Sequence, residues 1–310
     1  MAEKDSHEAL DPNSDEAQHQ RRSDLSRRSR LKLNEKAATI ASAANPEDHD
    51  LWISARSMYR SVLTRFQLGK TFQMLQPLWK IEWDIHDLWY TFARAATITP
   101  WDHPAQDRLA AEVILAREIG PLRSDEEPWV SESWKTADGW VWSDLPYLVR
   151  DMEEFWQSNK HDLSPDQLRN LASFLSRLVA LGVRPSELCV CALHAFSDAL
   201  DEEQTEKNAS SSSISRIARF LPAAQAWLQY AGHRLATLSL QEGSEGFSVE
   251  NWTKWHERFQ AISQAHDHDE NTRELARRSM NTMGMWSRNI GIPTEIGAVD
   301  RDGNVAVGRV

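Results

Sequence analysis

SPDQLRNLASFLSRLVALG, residues 164–182, carries the clearest helical signals in the sequence. Ser164 can accept a hydrogen bond from the first helical turn, Pro165 suits that turn, and Gln167 can reach back to the cap. Four leucines then share one face at helical spacing before Gly182 ends the segment. That face contains Leu168, Leu171, Leu175 and Leu178. The stretch therefore predicts an amphipathic helix with one buried side.

The same combination of helix starts and apolar spacing recurs along the chain. Pro46, Pro77 and Pro104 each precede a segment whose apolar residues recur every three or four positions. No comparable stretch alternates with a period of two, and no Asn-Gly or Asp-Gly hairpin joins two such stretches in the body, so no sheet is predicted. Helices are predicted at residues 51–66, 78–95, 104–116, 145–155, 165–181, from 185 onward, 214–238 with a kink or division at Pro222, 252–262 after a cap at Ser248 and Asn251, and 272–286. The predicted fold class is all-α, as a multi-helix bundle or an irregular helical array.

The two ends of the chain lack helical periodicity. Residues 1–33 are rich in charge and include the basic run RRSDLSRRSRLK from Arg21 to Lys32, so we predict a disordered arm. Residues 291–310 are predicted to form a second disordered tail. Residues 34–290 form the predicted all-α domain, and a division into two sub-bundles at the loop 122–142 stays open.

Composition excludes several classes of protein. The excess of 46 acidic over 35 basic residues gives a net charge of −11, which opposes binding to nucleic acid or to an anionic membrane. No stretch approaches the roughly 20 apolar residues that span a bilayer. The acidic N-terminus does not resemble a signal peptide, and the two cysteines, Cys189 and Cys191, cannot build a disulfide framework. We expect a cytoplasmic protein, with the nucleus as an alternative, and no cofactor.

A resemblance to a known family rests on several motifs. The sequence DIHDLW at 84–89 is followed by FAR at 92–94 and HPAQDRL at 103–109. Further matches are WSDLP at 142–146 and NLASFLSRL at 170–178. These motifs resemble the fungal family catalogued as domain of unknown function 3632, over about residues 50–288. The resemblance implies a fungal origin and an all-α domain, and it carries no catalytic residues with it.

His-Asp dipeptides occur five times along the chain. A class of all-α phosphohydrolases binds its metal with such pairs, so a metal-dependent hydrolase is one alternative function. The pairs are His49-Asp50, His86-Asp87, His161-Asp162, His266-Asp267 and His268-Asp269. They are dispersed over predicted helix ends without a shared spacing, so we predict no metal site. His86 is predicted to lie inside a helix with Trp79, Trp83 and Tyr90, as a hydrogen-bonded histidine among aromatic residues.

Cys191, His194 and Asp198 share one face of a predicted helix. A thiolate beside an imidazole that a carboxylate orients is the arrangement of a cysteine nucleophile. Because nothing in the sequence marks an oxyanion donor or a strained nucleophile turn, we predict a small buried cysteine and no catalytic residues.

The loop at residues 122–142 is rich in tryptophan among acids and serines. Aromatic and polar side chains together suit a groove for a peptide or a small ligand, and a loop pinned across the bundle by its tryptophans is the alternative. The candidate binding residues are Trp129, Trp134, Trp140 and Trp142. We predict a protein that binds another protein or a peptide, of undetermined oligomeric state. The alternatives are the hydrolase above and an accessory small-ligand-binding protein of a fungal metabolic pathway.

Overall fold

The computed structural model of the chain describes residues 14–41, 78–118, 120, 135–201, 211–241, 246–292, 298–299 and 305–306. The chain divides into two compact units, Met1–Leu163 and Ser164–Val310. The predicted helix at 51–66 lies outside the described residues. None of the helices in the described ranges is long and apolar enough to cross a membrane.

The first unit is organised around one central helix. Its elements in chain order are α1 (Asp15–Ala41), α2 (Leu78–Ile98), α3 (Pro104–Glu118), β1 (Lys135–Thr136), β2 (Gly139–Trp140) and α4 (Leu148–Asn159). Helices α1, α3 and α4 all contact α2. The apolar face of α2 is almost completely buried, with Ile85, Leu88, Trp89 and Phe92 at most 1% exposed. Burial of this face supplies the core of the unit.

The second unit packs around a 30-residue helix. Its elements are α5 (Pro165–Ala180), α6 (Pro185–Leu188), α7 (Val190–Leu200), α8 (Ser211–Leu240), α9 (Val249–Gln264), α10 (Glu270–Ile290), β3 (Ala298–Val299) and β4 (Val305–Ala306). Helix α8 packs against α5, α7 and α10. A Cβ atom at Gly232 would lie 2.6 Å from Nε1 of Trp286, so only glycine allows this close approach of α8 to the Trp286 side chain. The indole of Trp252 donates to Ser287 Oγ at 2.9 Å and ties α9 to α10.

The structure confirms the all-α class and the main start signals. Ser164 accepts from the backbone N–H of Gln167, and the Gln167 side chain accepts from the Ser164 N–H, which completes the predicted capping box. The Ser248 side chain accepts from the Asn251 N–H at 3.0 Å. Helix α8 runs without interruption through Pro222, so of the two predicted effects of this proline, a kink or a division, the division is wrong.

The predicted disordered arm at 1–33 needs a correction. From Asp15 onward the chain forms α1, which packs on α2, while residues 1–13 lie outside the described ranges. Hydrogen bonds and ion pairs between polar side chains hold α1 against α2. Because the contact does not depend on an apolar stripe, the apolar spacing of the sequence did not predict this helix.

Two pairs of two-residue strands accompany the helices in the described ranges, and the boundary between the two units lies after Leu163, whereas the sequence leaves a division at 122–142 open. Strands β1 and β2 pair antiparallel across the two-residue turn before Gly139, and β3 pairs with β4 inside the predicted C-terminal tail. Each strand has two residues, too few to show an alternating pattern. The units divide after Leu163, beyond α4, because α4 packs on α2 and so belongs with the first unit.

Replacing a core leucine of α5 tests the packing of the second unit. Leu171 is 0% exposed, so Leu171→Ala should leave a cavity and lower the free energy of unfolding by about 2–5 kcal/mol. Urea denaturation followed by circular dichroism measures this change. Leu181, just after α5, is 54% exposed, and Leu181→Ala should change the free energy by less than about 0.5 kcal/mol. Equal losses in the two variants would contradict the assigned face.

A cavity between three helices of the first unit

A cavity of about 480 Å³ opens in the first unit where α1, α2 and α4 meet. Helix α1 contributes Arg30, and one face of α2 contributes Trp83, His86 and Tyr90. Helix α4 supplies the opposite wall, from Arg150 to Asn159. Charged and aromatic side chains therefore surround the same space, and most of them belong to the two helices that pack on each other.

His86 and Asp151 form a hydrogen-bonded pair beside the cavity. Nδ1 of His86 lies 2.6 Å from Oδ2 of Asp151, and Nε2 of His86 lies 3.1 Å from a terminal nitrogen of Arg150. Because a guanidinium group only donates hydrogen bonds, Nε2 must accept this one. The proton of the imidazole therefore sits on Nδ1 and is donated to Asp151. Burial raises the pKa of Asp151, and the hydrogen bond from His86 opposes that rise.

Tyr147 holds the imidazole ring from its other side. The phenol ring stacks on His86 with centroids 4.5 Å apart, and the Arg150 guanidinium lies 4.7 Å from the phenol centroid. The Tyr147 hydroxyl donates to Glu82 Oε1 at 2.6 Å. Burial and this hydrogen bond to a carboxylate raise the pKa of Tyr147 to about 12. The phenol therefore keeps its proton and links α2 to the start of α4.

A strained turn places Tyr147 in that position. Trp142, Leu145 and Tyr147 have φ angles of 71°, 49° and 65°, in the left-handed region that non-glycine residues seldom adopt. The indole of Trp89 donates to the Pro146 carbonyl at 2.8 Å, and Asp138 accepts from the Tyr147 N–H at 2.5 Å. Such conformations persist only where the surroundings impose them, and they concentrate at functional sites.

The β1–β2 hairpin braces the strained turn. Asp144 Oδ2 accepts from the Trp140 N–H at 2.7 Å. A Cβ atom at Gly139 would lie 2.6 Å from the same carboxylate oxygen, so a side chain at this position would push Asp144 away. The glycine, whose φ is 123°, allows the hairpin and the turn to approach closely.

Arg30 is held in the cavity by a buried carboxylate of α2. Its Nε donates to Asp87 Oδ1 at 3.1 Å, and its guanidinium lies 4.6 Å from the centroid of Tyr90. Asp87 is only 6% exposed and also accepts from Ser26 and Arg22 of α1. The same contacts that attach α1 to α2 thus bring a positive charge to the cavity.

The structure describes two of the four tryptophans of the predicted groove, Trp140 and Trp142. Trp140 is half-buried in β2, with the Lys135 ammonium 5.6 Å from its ring. Trp142 is 1% exposed and is therefore a packing residue of the strained turn. Trp129 and Trp134 lie outside the described residues. A groove formed by all four stays a prediction, and the cavity lies elsewhere, since neither Trp140 nor Trp142 lines it.

The two residues of the dipeptide His86-Asp87 form hydrogen bonds to different helices. His86 bonds to Asp151 of α4, whereas Asp87 bonds to side chains of α1. Asp269 caps α10 by accepting from the Thr272 N–H at 2.9 Å, and His49-Asp50 lies outside the described residues. Within the ranges that the structure covers, no three side chains of His, Cys, Asp or Glu come together in a group that could hold a metal ion.

The cysteines are buried in the second unit. Cys189 and Cys191 are both 0% exposed, and burial raises the pKa of Cys189 to about 12. His194 and Asp198 are half-buried on the same helix, α7. A thiol with no exposed surface cannot meet a substrate, so this cluster is not a candidate site.

The family model described as protein of unknown function (DUF3632) matches residues 89–259. The chain belongs to this family. The match confirms the resemblance seen in the sequence, over a shorter stretch than predicted. It begins at the tryptophan that holds the strained turn and includes Tyr90, Arg150 and Asp151, whereas Arg30, Trp83 and His86 precede it.

Part of the chain is similar to a curated fungal protein. The chain is 31% identical over 169 residues to oxopyrrolidines biosynthesis cluster protein G of Penicillium oxalicum. The aligned part covers 51% of this chain and 47% of that protein, so the chain spans about half the length of the relative it matches. No solved structure matches the chain.

The contact between Tyr147 and Glu82 predicts a pH-dependent stability. The folded pKa of Tyr147, about 12, lies above the ordinary value of 10.0, so its contribution is complete below pH 10 and is lost as the pH rises through 12. The advantage of the wild type over Tyr147→Phe in unfolding free energy should therefore shrink from about pH 10 upward. Urea titrations of both proteins at several pH values measure this difference.

A second variant shows whether Glu82 causes the effect. The Glu82 carboxylate contributes to the raised pKa of Tyr147. In a Glu82→Gln background, the unfolding free energy that depends on Tyr147 should therefore fall less between pH 10 and pH 12 than it does in the wild type. Curves for wild type and Tyr147→Phe that stay parallel over this range would contradict the assigned contact.

Proposed function

We propose that this chain is an accessory protein of a fungal biosynthetic pathway and binds a small molecule in the cavity between α1, α2 and α4. The observation that carries the proposal is the cavity itself, with its volume of about 480 Å³ and its mixed aromatic and charged lining. Sites for small molecules in proteins are concave, have volumes of roughly 300–1,000 Å³, and combine apolar walls with a few placed polar groups.

The side chains around the cavity are held in fixed orientations, which supports the proposal that it binds a ligand. His86 is fixed by Asp151 on one side and by the Tyr147 ring on another, and Arg30 is fixed by Asp87. Side chains that are already oriented lose little conformational entropy when they engage a ligand. The strained turn that positions Tyr147 is a further mark of a site whose geometry is maintained at some cost in stability.

The relative supports the biological setting. Its name places that protein in a biosynthesis cluster for oxopyrrolidines. We extend to this chain only the setting, a pathway that makes a small molecule. Residues of α4 and Tyr90 in the cavity fall within the family match, so part of the cavity lining belongs to the sequence that the family model describes.

Binding of a protein or a peptide is a second proposal with weaker support. It rested on the tryptophans of the loop 122–142, of which Trp142 is buried in the first unit. A metal-dependent hydrolase has less support still, because the described part of the chain contains no convergent set of ligands. Neither alternative uses the cavity.

Blocking the cavity tests the proposal. Ser158 is an exposed residue of α4 that lines the cavity, so Ser158→Trp should fill it without disturbing the core. Gln157 is an exposed neighbour on the same helix that does not line it, so Gln157→Trp is the matched control. Wild type and both variants are incubated with a metabolite extract of the host fungus, and retained compounds are identified by ultrafiltration and mass spectrometry.

We expect a compound that wild type and Gln157→Trp retain and that Ser158→Trp loses by about tenfold or more. In the host, replacing the gene with the Ser158→Trp version should lower the yield of the pathway product, and the Gln157→Trp version should not. Equal retention by all three proteins, or retention by none, would refute a binding site in this cavity.

A further inference from the structure

The imidazole of His86 presents a hydrogen-bond acceptor beside the cavity. Its Nδ1–H is committed to Asp151, which leaves Nε2 with a lone pair. That lone pair accepts from Arg150, whose side chain is 62% exposed and can therefore move aside or share the position. A ligand that offers an acidic proton to Nε2 would replace the Arg150 donor without leaving a buried group unsatisfied.

Two guanidinium groups supply donors next to this acceptor. The hydrogen bond of Arg150 uses one terminal nitrogen, and that of Arg30 uses Nε alone. Among the residues that the structure describes, the terminal amino groups of Arg30 have no hydrogen-bond partner. Guanidinium groups bind carboxylates through paired N–H donors, with shorter and stronger bonds than neutral groups make. The cavity thus combines an acceptor for a proton with donors for oxygens.

The other walls favour a flat molecule with one negative charge. Trp83, Tyr90 and Phe155 line the cavity, and the rings of Tyr90 and Phe155 meet edge to face at 5.5 Å. Flat aromatic walls pack best against planar, conjugated groups. The carboxylates of Asp151 and Glu154 line the same space as the two arginines, so the charges nearly balance and a dianion such as a phosphate ester would be poorly compensated.

We propose that the ligand is a small, planar, conjugated carboxylic acid held across His86 and Arg150. One carboxyl oxygen shares its proton with Nε2 of His86, and the other accepts from Arg150 and Arg30. This proton is taken up from the buffer on binding, and no other bond forms or breaks. This inference rests on the proposed function, because it names the class of molecule that the cavity takes.

Binding of such an acid couples to uptake of a proton. In neutral solution the free acid is ionised, so the proton shared between the carboxyl group and Nε2 must come from the buffer. The charged groups that face His86 are Asp151 and Arg150 of α4, and Glu82 acts through Tyr147. Arg30 of α1 and Glu154 of α4 lie across the cavity. Uptake of about one proton per bound acid is therefore the expected signature.

Titration calorimetry with cinnamate as the probe tests the class of ligand, and cinnamamide is the matched neutral probe. The wild type should bind cinnamate at least about tenfold more tightly than cinnamamide. Arg30→Gln and Arg150→Gln should each weaken cinnamate binding by about tenfold and leave cinnamamide unchanged. Arg28→Gln, an exposed residue of α1 outside the cavity lining, should bind cinnamate as the wild type does.

Calorimetry in two buffers with different heats of ionisation counts the protons. The wild type should take up about one proton with cinnamate, and His86→Gln should take up none. Circular dichroism confirms that the variants fold. Benzoate, sorbate and indole-3-carboxylate, each with its amide, repeat the comparison for other sizes of planar acid.

The outcomes separate the two proposals. If amides bind as tightly as acids, or if the arginine variants bind acids normally, the acid class is wrong while the cavity remains a ligand site. If no acid binds but the wild type retains a neutral compound from the extract, the acid class is again wrong and the proposed function stands. If no acid binds and the cavity-blocking variant retains the same compounds as the wild type, both are refuted.

Discussion

The buried carboxylate of Asp87 is the contact on which the arrangement of the first unit depends. A charge that is 6% exposed is costly unless it is paired and hydrogen-bonded, and within the described chain every partner of the Asp87 carboxylate comes from α1. Of the α1 side chains that the structure describes, only Ser26 and Ala37 are buried. Polar contacts therefore decide where α1 sits, and with it where Arg30 enters the cavity.

Helix α2 contacts both α1 and α4 around the cavity because its faces carry different kinds of side chain. One face buries Ile85, Leu88 and Trp89 in the core, and the same tryptophan holds the Pro146 carbonyl of the strained turn. A second face pairs Asp84 and Asp87 with α1. A third carries Glu82 and His86 to Tyr147 and Asp151. The core packing of α2 thus fixes the geometry of all the polar contacts around the site.

The sequence predicted the helices that pack through regularly spaced apolar residues, and it did not predict the contacts that polar side chains make. The capping box at Ser164 and the leucine face of α5 follow from local rules, so they were predictable. Helix α1 was missed because its recurring element is polar: Arg22, Ser26, Arg30 and Asn34 follow one another every four residues and contact acids and other polar groups of α2. The pairing of His86 with Asp151, 65 residues apart, has no local signal, since only the packing of α4 on α2 creates it.

The family model matches some of the residues that line the cavity and not others, so similarity to the family describes only part of the site. The strained turn, Tyr90 and α4 fall inside the family match, and these supply the frame and one wall. Arg30, Trp83 and His86 precede it, and these supply a cation, a flat surface and the acceptor nitrogen. Under the proposed function, the class of ligand has to be read from the cavity of this chain, because Arg30, Trp83 and His86 of its lining precede the sequence that the family model matches.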